Sequence, residues 1–362
     1  EKWEWFRTQE DFARLPFRQI SPNKQNSWIG FADSDFDTLL PSISKEVKGG
    51  RGQEALFRSF SLGVVTARDE WVYGADETTV KTRVKHLINV YNADLGKLKG
   101  KGQEEIRERM DHSIKWSRAV KQDLAKGKKY AFDKNLIIEA AYRPFVDRKL
   151  YFSRDLNEMQ YQLPYLFRQP NPTIAFLCVD SQNPLAALAT TRVFDYCYLK
   201  KGNGGTQSLP LFAFDTDGTR HDNLTDWGLA QFTRHYGDKK IKKEDVFHYV
   251  YAVLHDPVYR EKYALNLKRE FPRIPFYADF WQWSKWGKQL MDLHINYETA
   301  EPYPLELVSS DTKAEAKRKK ATASTPLSLT DDKVAEPEPL DGREYKVKVK
   351  LKADKEAGII EL

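Results

Sequence analysis

Two cysteines are all that 362 residues contain, Cys178 in Phe176-Leu177-Cys178-Val179 and Cys197 in Tyr196-Cys197-Tyr198. Each sits inside an apolar and aromatic run. This points to buried thiols in a reducing, cytoplasmic compartment and excludes a disulfide framework or a Cys-rich zinc module. Long hydrophobic runs are missing too: no stretch approaches the roughly 18–20 apolar residues that cross a bilayer, so no membrane partner is expected. The N-terminus, Glu1-Lys2-Trp3-Glu4-Trp5, has no signal-peptide character. It also lacks an initiator methionine, and the expectation is a piece of a longer polypeptide. What is present is a folding composition, 41% apolar and 13% aromatic, well above that of a disordered chain. The length suits two or three domains at roughly 100–200 residues each.

Signatures of catalysis are scarce. Amino-methyltransferases need an Asp/Asn/Ser-Pro-Pro-aromatic tetrad that holds the target amino group while its ring stacks on the flipped base. Asn171-Pro172-Thr173 and Asn183-Pro184-Leu185 lack the second proline and the ring. Asp256-Pro257-Val258-Tyr259 comes nearest, but Val258 interrupts it, and a helix N-cap followed by a first-turn proline accounts for it. Gly202-Asn203-Gly204-Gly205 lacks the Lys-Ser/Thr of a P-loop. Asp133 with Asp147-Arg148-Lys149 loosely fits a metal-dependent nuclease, a pattern short enough to arise by chance in a chain with 30% charged residues. His248 and His255 share a helix without a third ligand nearby, which suits packing better than metal binding. No catalytic residue and no metal ligand is therefore assigned.

Charge, in contrast, is concentrated. Between Lys97 and Lys129 eleven Lys or Arg face five Asp or Glu, so this segment carries the chain's entire net charge of +6. Ile106, Met110, Ile114, Ser117, Val120 and Leu124 recur at helical spacing, which predicts one amphipathic helix over 103–126 entered through a Lys/Gly turn at 98–102. Such a helix is either a solvated mixed-charge face or a phosphate-contacting one, because cations that displace counterions supply most non-specific DNA affinity. Its candidate contacts are Lys97, Lys99, Lys101, Arg107, Lys115 and Arg118. Base edges need loop-borne Arg, Lys, Asn or Gln. Arg68, in the polar turn Thr66-Ala67-Arg68-Asp69-Glu70, and Lys200, Lys201, Asn203 and Gln207 around the Gly-rich loop meet that need. An ordinary hairpin turn explains the glycines equally well.

Composition divides the chain into a Pro-punctuated aromatic connector (1–48), an α/β or α+β region (49–222), a helical subdomain (223–311), a Lys/Ala/Ser-rich then acidic linker (312–341) and a terminal β element (342–362). Short strands are expected at 136–142, 150–152, 173–179, 193–199 and 209–214. Tyr345 to Lys352 alternates with period two, its lysines all on one side. Two readings of different kind follow: a double-stranded-DNA sequence reader, or an independent nuclease or protein-interaction scaffold built on Asp133, Asp147 and Lys149 or on Trp281, Trp283 and Trp286.

The order of segments is itself informative. The run Phe60 to Tyr73 (FSLGVVTARDEWVY), then Tyr142-Arg143-Pro144-Phe145 and Leu150-Tyr151-Phe152, resembles the target-recognition part of large restriction-modification enzymes. Glu244 to His255 (EDVFHYVYAVLH), Tyr263 to Pro275 (YALNLKREFPRIP) and Leu290-Met291-Asp292-Leu293-His294 resemble the C-terminal specificity region of the Type ISP single-polypeptide family. The resemblance spans nearly the whole chain. It implies a target-recognition domain with a C-terminal helical subdomain, and a DNA-specificity role with no catalytic residues to carry over. It also implies, as partners within one parent polypeptide, an upstream methyltransferase, a coupler and a helicase-nuclease. S-adenosylmethionine, ATP and Mg would serve those domains, with no cofactor here.

Overall fold

The computed structural model describes residues 2–8, 34–52, 54–179, 183–199, 205–301, 352–354 and 359–361. They belong to two compact units, Glu1–Ala300 and Glu301–Leu362. In the second, Lys352–Asp354 pairs antiparallel with Ile359–Glu361. The linker at 312–341 and the lysine-faced run before Lys352 lie outside the described residues.

Two four-stranded sheets organise the first unit. Their strands are β1 (Ser61–Leu62), β2 (Tyr73–Gly74), β3 (Ile137–Arg143), β4 (Val146–Tyr151), β5 (Thr173–Leu177), β6 (Ala186–Thr190), β7 (Val193–Phe194) and β8 (Gln207–Pro210). One sheet has the order β1-β8-β5-β6 and the other β2-β4-β3-β7. All pairings are antiparallel except β3 with β7. Strand β5 is buried at every position, which is why Thr-Ile-Ala-Phe-Leu shows no alternation. On the exposed side of the β3–β4 hairpin Glu139 faces Lys149, and their side chains pair at 2.8 Å. Strands expected at 193–199 and 209–214 are shorter than their apolar runs. The first turns away after Phe194, and the second is split into β8 and a hairpin, Phe212–Phe214 with Arg220–Asp222.

The longest helix among the described residues, α1 (Glu77–Leu98), was not foreseen from the sequence. Its signals are nonetheless ordinary: Asp76 caps it through the Thr79 amide at 2.8 Å, and Val80, Val84, Leu87, Ile88, Tyr91, Leu95 and Leu98 fall on one buried face. The single helix expected over 103–126 is two, α2 (Gln103–Arg109) and α3 (Arg118–Ala125). Tertiary contacts break it. The buried Asp94 carboxylate accepts the Asp111 amide at 2.6 Å, Asp111 closes a turn onto the Ser113 amide, and Trp116 donates its indole N–H back to the Asp111 carbonyl at 2.7 Å.

The region expected to be helical holds α4 (Asp226–Tyr236), α5 (Lys243–His255), α6 (Pro257–Lys262) and α7 (Phe280–Ile295). Asp256 caps α6 through the Val258 amide at 3.0 Å, Pro257 opens its first turn, and the Tyr277 hydroxyl donates to the other carboxylate oxygen. One apolar cluster joins Phe57, Ile174, Phe176 and Leu209 to Phe232, Phe247, Val250, Leu254 and Met291 of the helices. A second packs α1 and α3 against Ala140, Leu150, Tyr151 and Phe194. Among the described residues, no helix is long and apolar enough to cross a membrane.

Helices α5 and α7 approach so closely that a Cβ at Gly287 would run into the His248 carbonyl. Gly287→Ala is therefore expected to destabilise the chain by about 3 kcal/mol, the upper end of overpacking costs, seen as a lowered urea midpoint with an unchanged slope. A midpoint within experimental error of the parent would show that the helices slide apart at little cost.

Candidate nucleic-acid interface

The five residues Ser61 to Val65 run extended between the two sheets and bond to three other segments. Ser61 and Leu62 pair with Ser208 and Gln207 of β8. The Gly63 amide donates to the Thr206 carbonyl at 3.1 Å, the Val64 amide to Phe194 at 2.9 Å, and Val64 in turn accepts the Tyr196 amide at 2.9 Å. Val65 exchanges both backbone bonds with Met159, at 2.9 and 3.0 Å. At Gly63 any side chain would meet the Asp195 backbone, so only glycine lets the strands cross there.

Three loops hang from this run. The first is the turn 66–69, where the Thr66 hydroxyl donates to the Asp69 carboxylate and Ala67 takes φ +57°. The second, 157–165, exposes Met159, Tyr161 and Tyr165 with Gln162 between them. Tyr161 has φ +48°, a conformation that is a genuine outlier for a bulky residue and one that collects at functional sites. The third leaves at Leu199 and returns at Gly205, its base closed by the Thr206 amide on the Tyr196 carbonyl at 2.8 Å and the Leu199 amide on the Thr206 hydroxyl at 3.0 Å.

An ion pair between a buried carboxylate and a partly exposed arginine links the bases of these loops. Asp195 accepts from Arg143 Nη1 at 2.7 Å, from the Cys197 amide at 2.8 Å and from the Tyr73 hydroxyl at 3.3 Å. Burial pushes its carboxyl above the usual range, while the Cys197 amide and Arg143 pull it back. Arg143 also lies over the Tyr142 ring at 3.9 Å, and Tyr142 donates to Asp69 at 3.2 Å, tying the first loop to the third.

The sequence-predicted phosphate contacts are all exposed. Lys97 ends α1, Lys99 and Lys101 form the turn, Arg107 is on α2, Lys115 lies in the break and Arg118 begins α3. Lys97 pairs with Asp94 at 3.6 Å, Lys101 with Glu105 at 3.3 Å and Arg118 with Glu158 at 3.5 Å. Among the described residues Lys99, Arg107 and Lys115 make no ion pair. The Arg118–Glu158 contact brings the start of α3 against the 157–165 loop, so the basic segment adjoins that loop.

Two expectations need correction. Arg68 is not on an exposed turn. It is 1% exposed, its Nη2 donates to the Ser117 hydroxyl, and its Nε and Nη1 have no hydrogen-bond partner. The turn is polar, but the Arg68 side chain is buried where it meets Ser117, and burial pushes the guanidinium pKa down. Gln207 is not on the loop but in β8, partly buried, with Oε1 withdrawn from solvent and unpartnered. Lys200, Lys201 and Asn203 lie outside the described residues. The exposed Met159, Tyr161, Gln162 and Tyr165 were missed, although Met-Gln-Tyr-Gln between turn signals places amides and a ring on one loop.

The nuclease and scaffold candidates are engaged elsewhere. Asp133 accepts the Asn135 amide at 2.9 Å, Asp147 pairs with Arg192 and Lys149 with Glu139. Among the described residues no group of three His, Cys, Asp or Glu is placed to hold a metal ion. His255 faces the carbonyls of Tyr251 and Ala187, and burial lowers the pKa of both His248 and His255. Trp283 packs on Tyr277 with ring centroids 4.3 Å apart, whereas Trp281 and Trp286 are about half exposed.

Comparison with known proteins adds an independent line. Residues 55–360 match the family model for the Type ISP C-terminal specificity domain. The chain superposes on the cryoEM structure of a DrdV–DNA complex with TM-score 0.72 and 39% identity, covering 86% of this chain and 32% of that one. It matches a nuclease-deletion mutant of the Type ISP restriction-modification enzyme LlaGI in complex with a DNA substrate mimic (TM-score 0.67, 28% identity, 84% and 27% covered). It also matches the ATP-dependent Type ISP enzyme LlaBIII bound to DNA (TM-score 0.67, 25% identity, 79% and 18% covered). The chain thus spans about a third or less of these proteins. No curated protein matches it.

The burial of Arg68 has a measurable consequence. Replacing a poorly partnered buried charge by an apolar side chain of similar length is often neutral or stabilising. Arg68→Met is expected to hold or raise the thermal midpoint and to leave DNA affinity within about two-fold. Lost affinity at an unchanged midpoint would return Arg68 to the interface.

Proposed function

The chain belongs to the family of Type ISP C-terminal specificity domains, and on that premise we propose that it reads a double-stranded DNA sequence for a restriction-modification polypeptide, holding the duplex in register for chemistry carried elsewhere. The observation that carries this reading is the convergence of three loops on the Ser61–Val65 run, with exposed amide and aromatic side chains beside a basic segment. Lys97, Lys99, Lys101, Arg107, Lys115 and Arg118 supply phosphate contacts, which position the protein but carry no sequence information. Met159, Tyr161, Gln162 and Tyr165, with Lys200, Lys201 and Asn203 from the third loop, are the base-edge and stacking contacts. Asp195 and Arg143 act behind them by fixing the loop bases.

Division of labour follows. Residues 1–48 connect to an upstream methyltransferase, residues 49–222 read the site, residues 223–311 support them, and 312–341 lead to the terminal element. Methylation of adenine and ATP-dependent cleavage belong to the upstream methyltransferase, coupler and helicase-nuclease parts of the parent in the cytoplasm. Those parts would hold S-adenosylmethionine, ATP and Mg. This chain supplies neither catalytic groups nor a cofactor site.

Neutralising Lys97, Lys99 and Lys101 together should weaken binding to specific and random duplexes alike and flatten the salt dependence, by up to about one unit of slope per lost phosphate contact. Lys99 should contribute most, since Lys97 and Lys101 are already countered by Asp94 and Glu105. An unchanged slope would turn this segment away from DNA.

The direct test of the reading is exchange. Replacing residues 49–300 in the parent polypeptide by the same stretch of a relative should move the methylated and restricted site together, because both activities depend on one act of recognition. Sequencing of modified DNA from cells carrying the chimera reads the outcome. A folded, active chimera that still marks the original site would place specificity outside this chain.

A further inference from the structure

Beside the second loop lies a cavity of about 150 Å³ lined by Lys48, Phe60, Leu62, Tyr161, Gln162 and Gln207. A cavity of that size admits one benzene-sized ring. Its lining comes from segments distant in sequence that the Ser61–Val65 run draws together. Leu62 and Gln207 are register partners, and the Gln162 amide donates to the Ser61 hydroxyl at 3.1 Å. Two aromatic rings, Phe60 and Tyr161, offer apolar walls. Lys48 caps one side, its ammonium donating to the Phe60 carbonyl at 2.6 Å and lying 4.1 Å from the Phe60 ring. Gly205 keeps the wall in place, since a Cβ there would press on Leu62 at 2.6 Å and on the Tyr196 ring at 2.9 Å.

The polar groups are what distinguish this cavity from a gap in packing. Gln207 Oε1 is shut away from water with no donor, a standing cost that a ligand N–H would remove. The terminal torsion of glutamine is broad and roughly two-fold, so the carbonyl turns toward the cavity without a change of backbone. Lys48 donates, Gln162 and Gln207 both donate and accept. A ligand that uses all of this is a planar heterocycle with an N–H beside an acceptor atom, which is the hydrogen-bonding edge of a nucleobase. Tyr161 stands at the rim, about a third exposed and held at φ +48°, as a ring presented to an incoming base requires.

We propose that this cavity receives a single nucleobase displaced from the duplex stack, its ring against Phe60 and Tyr161 and its hydrogen-bonding edge toward Gln207, Gln162 and Lys48. The proposal rests on the DNA-reading role above. It adds that recognition includes an unstacked base held by this chain itself, at a site separate from any pocket where the parent does chemistry. Unstacking opposes such a complex least where the base is already unpaired.

The test compares two duplexes of about 30 base pairs and mixed sequence, identical except that one carries a single unopposed thymine nucleotide, whose one ring suits the cavity and whose N–H lies beside an acceptor oxygen. The full 362-residue chain should bind the bulged duplex about ten-fold tighter than the paired one. Gln207→Leu should erase that preference while leaving paired-duplex affinity within about two-fold; Tyr161→Ala should erase it as well while weakening binding to both duplexes, as its place among the reading contacts requires, and Tyr161→Phe should retain it, since it keeps the ring. Melting curves establish that each variant is folded. Equal affinity of the unsubstituted chain for both duplexes would overturn the pocket and leave the reading role standing. A preference that survives Tyr161→Ala and Gln207→Leu would overturn the pocket as its seat. Failure to bind either duplex would overturn the reading role itself, and the pocket with it.

Discussion

Everything at the candidate interface depends on the backbone hydrogen bonds of Ser61 to Val65. An extended strand offers donors and acceptors on both edges, and here the run bonds to β8, to Phe194 of β7 and Tyr196 just after it, and, one step on, to Met159. Two sheets are therefore joined along a seam of five residues, beside which Ala175 and Leu188 of the first pack in one cluster with Ala140, Leu150 and Phe194 of the second. The seam closes only because Gly63 has no side chain where the Asp195 backbone crosses it. Each loop begins within a residue or two of one of these bonds, which limits how far it can drift from the others.

The Asp195–Arg143 pair serves the same end by different means. Taking the Asp195 carboxylate out of water is expensive, and such pairs add little to stability when compared with an apolar packing of the same volume. What they do supply is geometry, since a carboxylate that must accept from Arg143, Tyr73 and the Cys197 amide at once tolerates few orientations. The exposed cations are organised the opposite way. Lys97, Lys101 and Arg118 each have one acid within 4 Å, the buried Asp94 for Lys97, the partly exposed Glu105 for Lys101 and the largely buried Glu158 for Arg118, while the cations themselves stay exposed to solvent.

How much of this was legible depended on whether local signals and tertiary demands agreed. Helices α4 to α7 were readable because Val246, Val250, Val253 and Leu254, or Phe280, Trp283 and Leu290, repeat with the period that their packing requires. Asp256 and Pro257 were readable because a cap is a local event. The 103–126 segment deceived because its periodicity continues through Met110, Ile114 and Ser117, while Trp116 and the Asp94 carboxylate, both fixed by α1, pull it apart. Arg68 deceived for the complementary reason: nothing within five residues of a polar turn announces that Ser117, 49 positions away, will meet the Arg68 side chain. Tyr161 carried a weak sequence signal, and its significance comes from a backbone angle that only the fold imposes.

The closed base of the third loop has a consequence for how such proteins diversify. The Leu199 amide is held by the Thr206 hydroxyl and the Thr206 amide by the Tyr196 carbonyl, bonds made outside the loop they close. Lengthening a loop whose ends are already pinned costs only about 0.6 kcal/mol for each doubling. Insertions and substitutions between those ends are thus nearly invisible to folding, whereas a single methyl group at Gly63 is not. Selection on the scaffold and selection on the address it recognises act on different atoms. A lineage can rewrite the second, one hanging segment at a time, while inheriting the first unchanged.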